Sequence, residues 1–433
     1  MRVDFTSNGP LLKVELFPDE LDLEFSNGRF VTANRSFSIH LPNGYSMSDI
    51  HSDHLALIGV MAAFPFTKGV LELPLDVSQR FIDGFKALRR FKITPNSNEG
   101  PIYSAPNPNK AALAFSGGID STAVLCLMPK DTALVFLDRP KRLMIRSLYD
   151  KSAPLAILDY AESQGYDVFR VNCDVEYIRN PVGFPVDLAA GIPAIAIASI
   201  LGYSSVAFGT VMESAFRIGH DVARTYADSS HHRLWGNAFK NSGLFLTLPV
   251  SGVSEVGTSL IVEASSFSNV SYSCIRGKWP KPCENCWKCF RKSLVESRIK
   301  NQRIDEKRMG EWLKVKEVRL KLSKRLISHE NVLSWALSGQ NVIGKSANGL
   351  RNRLEGMRRD LDHLTRWFPP SLDHVHESHR NLVEERLNQY LGRMSESEIT
   401  DLLKHDIREW LSESESMNNY HKFLKINGLE VND

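Results

Sequence analysis

Short apolar and β-branched runs at residues 11–25 and 29–41 are broken by Pro18, Asn27-Gly28 and Pro42-Asn43-Gly44. Those breaks supply turn chemistry, so the start of the chain predicts a small β-rich unit. Residues 54–63 and 77–91 predict helices, the second aligning Phe81, Phe85, Leu88 and Phe91 as one core face. The next stretch, 94–110, holds four prolines and four asparagines without an apolar period, and predicts a linker.

Beyond it, apolar runs at 111–115, 133–137, 168–171 and 205–208 alternate with helical patterns. Strands without a polar face, separated by helices, predict an α/β fold with a doubly wound parallel sheet covered on both faces. From Arg291 onward helix formers dominate, with amphipathic patterns at 306–337, 350–367 and 376–392 and a break at Pro369-Pro370. The expected organisation is a β-rich α+β domain (1–93), a linker (94–110), an α/β domain (111–292) and a helical domain (293–433).

A length of 433 residues supports two or three domains, and 42% hydrophobic with 24% charged residues excludes a collagen-like or largely disordered chain. No apolar run approaches the roughly 18 to 20 residues of a membrane span, and the first residues lack the charged-then-apolar plan of a signal peptide. The expectation is a cytoplasmic protein with no membrane partner. The net charge is only +3, but residues 276–325 carry seventeen Lys or Arg against six Asp or Glu, whereas 381–433 carry six against eleven. This basic neck could track a nucleic-acid backbone, or meet a protein partner or the acidic end of the chain.

The run at 111–115 leads into Ser116-Gly117-Gly118-Ile119-Asp120-Ser121-Thr122, which reads as a tight turn entering a helix. Paired glycines let backbone N–H groups approach an anion, and Ser116, Ser121 and Thr122 add hydroxyls. The helix start directs its free N–H groups and positive dipole end to the same point. The Gly-Lys-Ser/Thr ending of a Walker loop is missing, so this is a different phosphate cradle.

Four of the six cysteines, Cys274, Cys283, Cys286 and Cys289, fall within sixteen residues. The two-residue gaps let the chain curl round one ion and the longer gap returns a fourth thiolate, a closed set that suits structural Zn2+. An iron–sulfur cluster or disulfides would use the same residues. Arg276, Lys278, Lys281, Lys288, Arg291 and Lys292 stand nearby in sequence and would offset the thiolate charge. Cys126 and Cys173 read as inert buried thiols.

The S-G-G-x-D-S loop after an apolar strand resembles the pyrophosphate (PP) loop of the ATP pyrophosphatase family. The downstream C-x8-C-x2-C-x2-C cluster narrows the resemblance to 7-cyano-7-deazaguanine synthases, over residues 111–292. The resemblance implies ATP, Mg2+ and Zn2+. It also implies adenylation of a carboxylate or carbonyl with release of pyrophosphate, then C–N bond formation with release of AMP. It assigns phosphate contacts to Ser116, Gly117, Gly118, Ile119, Ser121 and Thr122, and to Asp120 a role in orienting Mg2+ or ordering the loop. Nucleotide contacts go to Asp138, at the end of the second strand, and to Gly209 in Phe208-Gly209-Thr210.

Two departures accompany it. The family's lysine after a Pro-Leu pair is absent, since Leu248-Pro249-Val250 is followed by Ser254-Glu255, and the family's Tyr-Pro-Asp-Cys-Arg stretch is replaced by residues 213–232. A divergent relative, of the kind found in bacterial anti-phage gene clusters, is the nearer comparison. The replacing stretch carries Arg217, His220, Asp221, Arg224, His231 and His232 beyond a strand's carboxyl end, where open α/β sheets bind ligands. Arg217 could hold a carboxylate and His220 shuttle a proton, joining Ser116 and Asp120 as catalytic candidates; a solvated polar loop is the alternative. His51 and His54, near Asp53, read as surface histidines of a loop rather than metal ligands.

Three functions are thereby in view. One is an ATP-dependent adenylating enzyme acting on an unidentified acceptor. Another is a non-catalytic nucleotide-binding subunit of a multi-subunit defence or modification system. The third is tRNA or DNA modification through the basic neck.

Overall fold

The computed structural model describes residues 1–24, 31–141 and 149–429; Phe25, the turn expected at Asn27-Gly28, Arg29 and the last residues of the acidic end lie outside them. The chain begins with β1 (Arg2–Asn8), β2 (Leu11–Phe17), α1 (Glu20–Glu24), β3 (Val31–Thr32) and β4 (Ser36–His40). Next come α2 (Ser52–Ala63), β5 (Gly69–Asp76), α3 (Gln79–Asp83) and β6 (Phe91–Ser97). Five of these strands form a mixed sheet in the order β4-β2-β1-β5-β6. Helix α2 is apolar all round and buried along almost its whole length, as a helix covered on every side must be.

Two expectations for this region are corrected. The helix foreseen over 77–91 is only the short α3. Ser78 caps it by accepting from the Phe81 N–H, and Gly84, pressed against Asn241 and the Asn237 carbonyl, follows its last residue. Phe81, Phe85 and Phe91 are all buried, but from a helix, a turn and a strand, so their spacing recorded burial rather than helix. The linker is shorter than 94–110, because β6 takes in Thr94 and Pro95 and the next strand begins at Asn107. Proline is tolerated there because β6 is an outer strand of its sheet.

The central part runs through β7 (Asn107–Ala114), α4 (Ile119–Leu127), β8 (Ala133–Asp138), α5 (Ser152–Ser163) and β9 (Val168–Asn172). It continues with β10 (Arg179–Asn180), α6 (Ile192–Ile200), β11 (Tyr203–Ala207), α7 (Met212–Ala215), α8 (Asn237–Ser242) and β12 (Phe245–Thr247). β10 pairs with β3; the other five strands form a parallel sheet in the order β12-β11-β7-β8-β9. Ala111, Leu113, Leu134 and Phe136 pack on one face with Val124 and Leu127 of α4 and Ile157 and Leu158 of α5. Ala112, Ala133, Val135 and Leu137 lie on the other with Ile192 and Ile195 of α6. That second core runs on into Val3, Leu12 and Leu57, joining the two sheets.

The remainder is mostly helical: α9 (Glu255–Glu263), α10 (Trp287–Ile299), α11 (Glu306–Lys314), α12 (Lys316–Leu322), α13 (Glu330–Ser338) and α14 (Lys345–Asn352). After these come β13 (Arg366–Trp367), α15 (Glu377–Tyr390), β14 (Gly392–Arg393), α16 (Glu396–Leu403), α17 (Arg408–Ser412) and α18 (Ser414–Ile426). The continuous pattern expected over 306–337 is three helices, and 350–367 is the end of α14 followed by irregular turns. Trp287, Phe290, Trp312, Leu333 and Phe423 build a separate core here. Among the described residues no helix is long and apolar enough to cross a membrane.

Candidate nucleotide site and metal centre

The phosphate-loop residues stand at the carboxyl end of β7, the middle strand of the parallel sheet. Gly117 has φ +72, and a Cβ there would fall 2.8 Å from Pro154 Cα in α5, so conformation and space both demand glycine. Gly118 is the N-cap of α4 and no side chain caps the helix, which leaves its first-turn N–H groups facing the loop. Gly209, after β11, lies against that turn: a Cβ on it would sit 2.9 Å from the Ser121 nitrogen. Its small size therefore admits the backbone of Asp120 and Ser121.

The hydroxyls divide. Ser116 is exposed, with its Oγ 3.1 Å from that of Ser121. Ser121 Oγ and Thr122 Oγ1 both donate to the Gly118 carbonyl, at 3.0 and 2.9 Å, and both residues are buried. Those two hydroxyls brace the loop from beneath and are not the free donors expected of them. Thr258 Oγ1 on α9 donates to Asp120 Oδ1 at 2.9 Å.

Two lysines from another part of the chain stand near the loop. Lys292 on α10 brings its Nζ to 3.6 Å from Asp120 Oδ1, and Lys288, one turn earlier, reaches to 4.0 Å from the point a Cβ on Gly118 would occupy. Lys288 has no ion-pair partner among the described residues. Ser254, at the position where the lysine was sought, caps α9 by accepting from Val256 and Gly257 and donates to the Leu364 carbonyl.

Behind the two lysines lies a cluster that the sequence did not announce. Glu255 receives two hydrogen bonds from Arg291, at 2.6 and 3.0 Å, and lies 3.6 Å from Lys292. Burial works against its ionisation, but Lys292, Arg291 and His329 together outweigh that and hold the carboxyl well below the usual carboxylate range. Glu213 is fully buried; burial first and the Glu255 charge second push it up to about 8, so it is largely protonated at neutral pH. Its oxygens accept from the Glu255 N–H at 3.1 Å and from Asn331 Nδ2 at 3.2 Å. His329 lies 3.3 Å from Glu255 and burial pushes it down to about 4, so it is neutral. Of the cluster's members the sequence had singled out Ser254-Glu255 only as the place where a lysine was missing, and Arg291 and Lys292 only as counter-charges for the thiolates; the partners come from segments far apart in the chain.

The four cysteine sulfurs lie within 4.8 Å of one another, and those of Cys283 and Cys289 are 3.7 Å apart. Sulfurs about 2.3 Å from a shared tetrahedral ion would be separated by about 3.8 Å, so the set fits Zn2+. Backbone N–H groups of Arg276, Gly277 and Cys283 point at Cys274 Sγ, that of Asn285 at Cys283 Sγ and that of Cys289 at Cys286 Sγ. The nearby cations do not all serve the thiolates as expected. Arg291 and Lys292 face Glu255, and Arg276 is paired with Glu317. Cys286 is the N-cap of α10, so the metal loop sets the start of the helix that carries Lys288, Arg291 and Lys292.

The other candidates fall elsewhere. Asp138 ends β8 but is joined to Lys151 at 2.6 Å. Arg217 pairs with Asp221 at 2.6 Å, His231 lies 3.2 Å from Asp187, and the carbonyl of His220 is hydrogen-bonded to His405. None of these four contacts involves the loop; the His220 ring is 6.2 Å from that of His329. His54 is no surface residue: it is fully buried on α2, bonds the Ser242 carbonyl at 3.0 Å, and burial pushes it down to about 3. Cys173 is fully buried, and burial pushes the Cys126 thiol up to about 11, as inert thiols require. Much of the basic neck is spent internally, with Arg298, Arg319 and Arg325 bonded to backbone carbonyls.

Comparison with family profiles matches residues 234–406 to a family of unknown function (DUF6395). That segment holds the four cysteines, Glu255, α10 and most of the helical part, while the phosphate loop precedes it. No curated protein and no solved structure matches the chain.

Proposed function

We propose that the chain is an adenylate-forming enzyme that binds ATP at the Ser116–Thr122 loop and activates a carboxylate or carbonyl oxygen of an acceptor. The observation that carries this is the meeting, at one strand end, of an uncapped helix start with two lysines delivered by the metal-anchored helix. The proposed fold belongs with it: β8 and β9 extend the sheet on one side of β7, β11 and β12 on the other, an order that supports reading it as a doubly wound, PP-loop-type sheet with its reversal at β7. Such sheets bind ligands in the crevice at that reversal.

In this reading the α4 amides, Ser116 and Lys288 hold the β- and γ-phosphates. The acceptor oxygen attacks the α-phosphorus, the bond from that phosphorus to the bridging oxygen breaks, and pyrophosphate leaves with the charge it gains held by those donors. A nitrogen nucleophile then displaces AMP from the activated acceptor, losing a proton as the C–N bond forms. Asp120, with Oδ1 held by Thr258, keeps the first turn of α4 in register and would present Oδ2 to a Mg2+ ion on the phosphates. Zn2+ at the four cysteines would be structural, since an all-thiolate set leaves no open position.

The test is acceptor-dependent release of AMP and pyrophosphate from ATP, comparing wild type with Asp120→Ala. ATP binding without turnover across a broad acceptor screen would favour a nucleotide-binding subunit, and ADP with phosphate as the only products would refute adenylation. Loss of AMP release in Asp120→Ala is the result expected.

A further inference from the structure

An open groove of about 570 Å³ lies beside β6, the outer strand of the first sheet, against the turn that follows α3. Lys86, Arg89, Arg90 and Lys92 line it together with Ile82 and Leu88, and among the described residues no acidic one does. Two of the four cations are engaged: Arg90 donates to the Phe64 carbonyl and lies over the Phe64 ring, and Lys86 is 2.9 Å from Asp83. Arg89 and Lys92 are exposed and have no ion-pair partner among the described residues.

A separate observation concerns the backbone. The Arg90 carbonyl accepts from the Gly69 N–H, so Arg90 and Lys92 face β5, and the alternation of a strand turns the N–H and C=O groups of Phe91 and Ile93 the other way. Both residues line the groove, and among the described residues nothing is hydrogen-bonded to them on that side. Such a row of open groups is a template for another strand. It stops at Pro95, the next outward position, which has no N–H to offer.

The two observations together choose between anionic partners. A nucleic-acid strand binds such surfaces by stacking bases on exposed rings, but the rings here, Phe85 and Phe91, are buried. An extended peptide can bond the Phe91 and Ile93 groups and set acidic side chains beside the cations. We propose that β6 receives an extended acidic segment of a partner protein, added to the sheet as a further strand, with carboxylates toward Arg89 and Lys92 and apolar side chains over Ile82 and Leu88. The proposal does not rest on the nucleotide reading.

Fluorescence anisotropy of a labelled peptide that alternates glutamate with valine, titrated with the full chain, tests it. Saturable binding is expected, weakened about tenfold or more in Arg89→Glu and in Lys92→Glu, whose exposed side chains can change without disturbing the core. N-methylation of the glutamate amides alone, or of the valine amides alone, should weaken binding in one case and hardly in the other, because only one edge of an added strand meets β6. No saturation up to about 1 mM, equal affinity for a lysine–valine peptide, unchanged affinity in both variants, or an equal effect of the two methylations would each overturn it. Tighter binding of oligouridylate than of the peptide would overturn it too, in favour of nucleic acid.

Discussion

The cysteine centre and the Glu213–Glu255 cluster both gather charged or ionisable groups, and both border α10, yet they are built in opposite ways. The first draws its ligands from sixteen consecutive residues and keeps them with backbone N–H groups of the same loop. The second collects Glu213 from α7, Glu255 from α9, Arg291 and Lys292 from α10, His329 and Asn331 from the start of α13. A local site can assemble before the fold does, once its ion is present. A dispersed site exists only when the sheet and the helical part have already met, so its charges report on that meeting.

The comparison can be broken most severely at the metal. Cys286→Ala removes one ligand and the N-cap side chain of α10 together; metal content should fall well below one equivalent and stability by about 3 kcal/mol or more, read by metal analysis and urea denaturation. Retained zinc and an unchanged midpoint would show that the thiols are not a metal site.

Next comes the dispersed cluster. Arg291→Met strands the Glu255 charge among buried groups, and removing one partner of a buried pair costs about 3 to 5 kcal/mol. Unlike the cysteine variant, it should keep its metal, because Arg291 is not a ligand. Equal loss of metal in both variants would mean that the two sites form as one.

The smallest effect sharpens the picture by pH. Glu213 has a folded pKa near 8, above its value of about 4.5 in the unfolded chain, so across that interval the folded state holds the extra proton and stability falls as pH rises. Glu213→Gln keeps the shape of the protonated form. The variant should therefore match wild type at about pH 4 or below and gain on it steadily up to about pH 8, above which the difference levels off because the wild-type carboxyl ionises in the folded state too. Parallel stability curves across that range would mean that Glu213 is ionised throughout.

What could be read from the sequence follows the same division. Four of the five strands of the parallel sheet, β7, β8, β9 and β11, were legible within about four residues, because each holds a short apolar stretch of the kind a covered sheet needs, whereas the three residues of β12 were too few to stand out. The loop and the four cysteines were legible because their residues are neighbours in the chain. Phe81, Phe85 and Phe91 misled because three different elements bury them. His54 was misplaced because a polar residue on a fully buried helix looks like a loop residue until Ser242, far away in sequence, supplies its hydrogen bond. Lys288 and Lys292 were seen as counter-charges for thiolates, since sequence distance put them beside the cysteines and only the direction of α10 turns Lys292 toward Asp120 and Lys288 toward Gly118.

Helix α10 also sets how errors of position spread. It spans thirteen residues, about 20 Å, with its first turn fixed by Cys286 and Cys289 and Lys292 only three residues past the last ligand. The lever arm from anchor to Lys292 is about 4.5 Å along the axis, so a tilt of about 10° at the metal shifts the backbone there by less than about 1 Å. The same tilt carries the far end at Ile299, about 15 Å past the last ligand, some three times further, roughly 2 to 3 Å. The end of the helix that carries Lys288 and Lys292 is thus its pivot, and breathing of the helical region would swing the far end while the lysines stay nearly on station.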